Sequence, residues 1–166
     1  MTRFVVLTAL IALSILGSGR AQAEASRQVI GDWVVTCTLP ASGHKSCMMT
    51  QTLASEKLGK TVSVFTIGRD QAGKLKASIR VPVGVSLPDG VIVGIENGDR
   101  FKVPYSACHR IGRFAPFDLT EPLLGKIRKA TKISAVAQSV SQRPLALNFS
   151  VRGFPAAYEQ YVKESR

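Results

Sequence analysis

Leu75-Lys76-Ala77-Ser78-Ile79-Arg80-Val81 alternates apolar and polar side chains without a break. Side chains of an extended chain point to opposite faces in turn, so this stretch reads as a strand with one buried face. Leu145, Leu147, Phe149 and Val151 repeat the pattern, alternating with Ala146, Asn148, Ser150 and Arg152. Thr61 to Ile67 is rich in β-branched residues and reads as a more buried strand; Val91 to Ile95 and Phe101 to Tyr105 read as two more. Trp33 to Cys37, Ser46 to Thr52, Phe114 to Phe117 and Lys132 to Ala137 complete the set. Asp70 to Gly73, Pro88-Asp89-Gly90 and Glu96 to Asp99 supply turn chemistry over gaps short enough for antiparallel hairpins. Two short helices are expected. One follows Thr120, with Leu123, Leu124 and Ile127 on one face despite Gly125; the other follows Gly153, with Phe154, Tyr158, Tyr161 and Val162 on one face. The fold class is therefore all-β, two packed antiparallel sheets with one or two short helices.

The compartment is read from residues 1–23. Arg3 gives a positive start, Phe4 to Gly17 is apolar, and Ala21-Gln22-Ala23 has the small-x-small form of a cleavage site. The run is too short for a membrane anchor and no cysteine precedes Cys37, so a cleaved secretory signal followed by one domain over 24–166 is expected, not an integral membrane protein. Loss of Arg3 and Arg20 takes the net charge from +11 to +9, which favours anionic partners. In an oxidising compartment the three cysteines leave one over. Cys37 and Cys47 flank a short loop between two strands, which favours a hairpin disulfide and leaves Cys108 as a free thiol. A spare cysteine of this kind is more often buried than reactive, although His109, Arg110 and Arg113 would favour a thiolate.

Gly31-Asp32-Trp33 with Cys37, Cys47 and Gln51, the stretch Pro82 to Val91, and the closing Phe149-Ser150-Val151-Arg152-Gly153-Phe154-Pro155-Ala156-Ala157-Tyr158 together resemble the invasion-associated locus B family. The resemblance implies an immunoglobulin-like β-sandwich that is periplasmic, outer-membrane-associated or secreted, with a link to host-cell invasion and virulence. It brings no enzymatic activity, cofactor or catalytic residue set, and it carries over the Cys37–Cys47 bond. The family's third cysteine is followed by x-x-x-Gly-Cys, whereas here Arg113 stands in the last position after Cys108.

Catalytic chemistry has little to rest on. His44 and His109 are the only histidines, and neither a nucleophile elbow nor metal-ligand spacing occurs. A hydrolase is the weakest reading, with no catalytic, metal or cofactor residues to name. Arg69, Lys74, Lys76 and Arg80 on one hairpin, with Arg100 and Lys102 on the next, are expected to share a solvent-facing basic surface. Lys126, Arg128, Lys129 and Lys132 instead suit the C-terminal end of the first helix. Aromatic residues are not interleaved with these cations, which disfavours nucleic acid. The expected function is binding, to an envelope protein or an anionic lipid or glycolipid surface; the alternative is a thiol-dependent role for Cys108.

Overall fold

Residues 75–81 form the strand that the alternation predicts: Ala77, Ile79 and Val81 are fully buried, while Lys76, Ser78 and Arg80 face outward. The computed structural model describes residues 24–40, 43–55, 59–96, 98 and 100–166; the segment read as an export signal lies outside them. In chain order the elements are β1 (Glu24–Ile30), β2 (Trp33–Leu39), β3 (Ser46–Ser55), β4 (Lys60–Arg69), β5 (Leu75–Val81), β6 (Val91–Ile95), β7 (Arg100–Val103), β8 (Ala107–His109), β9 (Gly112–Asp118), α1 (Glu121–Lys129), β10 (Lys132–Gln138), β11 (Pro144–Ser150) and α2 (Phe154–Glu164).

The strands make a seven-stranded sheet, β1-β2-β3-β4-β5-β9-β8, and a four-stranded sheet, β11-β10-β6-β7. Neighbours pair antiparallel throughout, as the all-β sandwich expected from the alternation requires. Phe65, Ile67 and Ile79 of one sheet and Val91, Val93, Ile133, Ala135 and Phe149 of the other are all fully buried. Burying each of the larger side chains contributes about 1.5–3 kcal/mol, before the cost of ordering the chain.

The seven-stranded sheet is wider than its partner, and α2 covers the overhang by packing against β1, β2 and β3. Its buried face is Phe154, Ala157, Tyr158 and Tyr161, so both tyrosines fasten the helix as expected. Helix α1 buries Leu124 and Ile127, and a β-carbon at Gly125 would meet nothing, so glycine there costs only helix propensity. Thr120 precedes α1 without a side-chain capping bond; Pro122 in the first turn starts the helix instead.

One turn expectation is corrected. Asp70–Gly73 and the turn after Ile95 close hairpins, but Pro88-Asp89-Gly90 does not, because β5 and β6 belong to different sheets. Val85 is nearly buried and bridges to Ser139, pinning the passage from one sheet to the other.

Candidate functional site

The motif residues at the two ends of the chain meet at one place. Fully buried Trp33 donates its indole Nε1–H to the Ser150 carbonyl at 3.1 Å. Gln51, 3 % exposed, donates Nε2–H to the same carbonyl at 2.9 Å and accepts the Ser150 amide at 2.7 Å. The Gln51 side chain thus pairs with the Ser150 backbone as a peptide group would, tying β3 of the large sheet to the end of β11 in the small one. Gly31 and Gly153 lie against each other beside it: a β-carbon on Gly153 would sit 2.8 Å from the Gly31 Cα. Asp32 receives the Arg152 guanidinium through Nε at 3.2 Å and through Nη2. The arginine bond holds the Asp32 carboxyl below the usual carboxylate range. The arrangement is a lock between chain ends; its polar atoms are engaged with one another.

Cys37 and Cys47 are joined, directly opposed across β2 and β3 with Cα atoms 4.0 Å apart. The chain-entropy model assigns a loop of this size about 2–3 kcal/mol. Nearby, Lys45 pairs with Glu164 of α2 at 2.7 Å and lowers the Glu164 carboxyl. Cys108 is free and exposed, which corrects the expectation of a buried passenger. It lies on β8, a three-residue edge strand with a bare outer side, too short to be covered. Arg113 is its direct cross-strand partner, the same relation that Cys37 bears to Cys47.

The expected single basic surface is divided. Lys76 and Arg80 point outward from β5, but Arg69 is opposite Leu75 and shares that residue's core-side parity, its Nη1 donating to Gly73. Arg100 and Lys102 belong to β7, in the other sheet. The reason is topological: the chain changes sheets between the two hairpins. The hairpin lysines also share one carboxylate, which offsets one of their two charges. Lys74 binds Asp118 at 2.5 Å and Lys76 binds its other oxygen; the two lysines lower the Asp118 carboxyl, and the bond to Asp118 raises Lys76. On the outer face of the small sheet, Arg100 and Lys132 line a groove with Ser134, Asn148 and Glu96, whose carboxylate is bonded to Thr131, and Lys102 is exposed nearby. None of these three cations is ion-paired among the described residues.

The histidines are not brought together: His44 lies in the β2–β3 connection, whereas His109 is on β8 with its ring edge-on to Phe114. Among the described residues no three His, Cys, Asp or Glu side chains form a metal-binding group, and no helix is long and apolar enough to cross a membrane. The motifs contain Trp33 and Gln51 but do not show that both reach Ser150; the signal is the polar Gln51 at a core-facing position of β3, alternating in step with Met49 and Leu53.

A disulfide-stapled antiparallel sandwich with a C-terminal helix over its wider sheet defines the structural class. The model of the family "Invasion associated locus B (IalB) protein" matches residues 33–162, and the chain belongs to that family. It is 24% identical over 139 residues to an invasion protein B homolog of Brucella abortus (strain 2308), covering 83% of this chain and 80% of the relative. The homolog from Brucella abortus biovar 1 (strain 9-941) gives the same values. The crystal structure of invasion associated protein B from Bartonella henselae has the same fold, with a TM-score of 0.74 and 17% identity over 83% of this chain and 95% of that one.

Proposed function

We propose that this is an exported, single-domain envelope protein that acts by binding an anionic envelope surface or partner, using the outer face of the small sheet around Arg100, Lys102 and Lys132. The relatives' names, the disulfide and the signal-like segment support export and a part in host interaction. The observation that carries the choice of face is charge pairing. Lys74 and Lys76 are engaged by Asp118, whereas Arg100, Lys102 and Lys132 form no ion pair among the described residues, the Glu96 carboxylate in their groove being bonded to Thr131. A cation near an anionic membrane contributes about 1 kcal/mol. The double variant Arg100→Glu/Lys102→Glu should therefore lose at least about tenfold in binding to vesicles of phosphatidylcholine and phosphatidylglycerol, while Lys74→Ala binds as wild type. Equal binding by wild type and the double variant, read by vesicle co-sedimentation, would remove the face from consideration.

The exposure of Cys108 favours a second reading, covalent capture of a partner. Its thiolate attacks a disulfide, forming one mixed disulfide and releasing the other sulfur as a thiol, so no separate oxidant is needed. Incubation with glutathione disulfide should add one glutathionyl group at Cys108, detected by intact mass. Arg113→Cys should abolish the adduct after oxidation, because the new side chain faces Cys108 and closes a second hairpin bond. Failure of the wild-type thiol to react would end this reading.

A further inference from the structure

The helices frame a second basic site, away from both sheet faces. A cleft of about 510 Å³ opens between α1, α2 and the β4–β5 turn. Arg69 enters it from the end of β4, Arg128 from the end of α1, and Lys163 and Arg166 from the end of α2 and the residues after it. None of these four has an ion-pair partner among the described residues. Tyr158 lies in the same cleft, 7 % exposed, with the Arg128 guanidinium held 5.0 Å from its ring centroid.

Helix dipoles account for Arg128 and Lys163, each in a last turn. They do not account for Arg69, which comes from a sheet hairpin, or for Arg166, beyond the helix. Four cations and two carboxylates, Glu121 and Glu159, line the concavity without forming an ion pair among the described residues, which leaves a positive surplus that favours an anion. Guanidinium groups present paired N–H donors that match a phosphate's oxygens, and Arg128 is already oriented by its stacking on Tyr158. Glu121 and Glu159 line the same cleft, and they can accept hydrogen bonds from hydroxyl groups.

We infer that the α1–α2 cleft binds a phosphate monoester carried on a hydroxylated group, such as a sugar phosphate, with Arg69, Arg128, Lys163 and Arg166 on the phosphate and Glu121 and Glu159 on the hydroxyls. The site is separate from the face of the small sheet, and the two stand or fall independently. The test is an NMR titration of the mature chain with glucose 1-phosphate, with inorganic phosphate, and with phosphatidic acid vesicles. Glucose 1-phosphate should shift the amides of α1, α2 and the β4–β5 turn, with an affinity near about millimolar or tighter. Lys163→Gln/Arg166→Gln, both exposed positions, should weaken it by about tenfold or more. Arg100→Glu/Lys102→Glu should leave it unchanged. A response to the vesicles alone, through the same residues, would assign the phosphate to a lipid and overturn the sugar. Inorganic phosphate binding as well as glucose 1-phosphate would overturn the role of the carboxylates. No shift with any probe, or equal affinity in the Lys163/Arg166 variant, would overturn the site.

Discussion

Trp33→Ala should lower the stability of the oxidised chain by about 3–5 kcal/mol. The indole is fully buried and meets the rings of Phe65 and Phe154 edge-on, at centroid distances of 5.6 Å and 5.1 Å. Those rings belong to the large sheet and to α2, so the cavity would open where three elements join. Removal also takes a hydrogen-bond donor from the Ser150 carbonyl, which keeps the one from Gln51. Trp33→Phe separates the two effects: it retains most of the ring contact, loses the indole N–H and should cost about half as much. Because Trp33 is the only tryptophan, urea unfolding has to be followed by circular dichroism. A fall in midpoint at unchanged slope is expected. A loss under about 1 kcal/mol for the alanine variant would mean that Trp33 does not hold the helix to the sandwich. The neighbouring Asp32–Arg152 pair offers no comparable effect, since the Arg152 side chain is 77% exposed.

How far the sequence reveals this architecture depends on burial. β5 and β11 are read correctly because one face is buried and the other is wet, so the alternation is written into residues 75–81 and 144–150. β1 carries no such mark. It is an edge strand with little of its surface covered, Val29 being 62% exposed, and Glu24-Ala25-Ser26-Arg27-Gln28 has no face to encode. β8 escapes for a different reason: three residues are too few for a period. The basic residues show a further limit. Alternation places Lys76 and Arg80 on one side of their own hairpin, but which sheet a hairpin joins is decided by long-range packing. The nine residues between β5 and β6 carry the chain to the other sheet, and no local pattern separates that passage from a hairpin loop. The α1–α2 cleft is of the same kind: Arg69 and Arg166 are distant in sequence and meet only because α2 folds back over the large sheet.

Gly153→Ala should cost about 2–5 kcal/mol, and the reason is the approach of two backbones. Gly153 has a φ of +81°, a region in which an L side chain is strained. An added β-carbon would also sit 2.6 Å from the Ile30 carbonyl oxygen and 2.8 Å from the Gly31 Cα. Both atoms are backbone, so no side chain can rotate away; the β1–β2 turn would have to leave the start of α2. Its departure would stretch the hydrogen bond from the Asp32 amide to the Arg152 carbonyl, now 3.2 Å, and loosen Trp33 two residues from Gly31. Gly73→Ala is the control. Its φ is +77°, yet a β-carbon there meets nothing within 4 Å, so only the conformational penalty of about 1–2 kcal/mol applies. The excess of the first loss over the second therefore measures the backbone contact. Gly31→Ala should behave like Gly153→Ala, with a β-carbon 2.5 Å from the Arg152 carbonyl oxygen. The double variant should lose less than the sum of the two, because one outward shift of the turn relieves both overlaps. Equal losses at positions 153 and 73 would show that the close approach of the two glycines contributes nothing to holding the chain ends together.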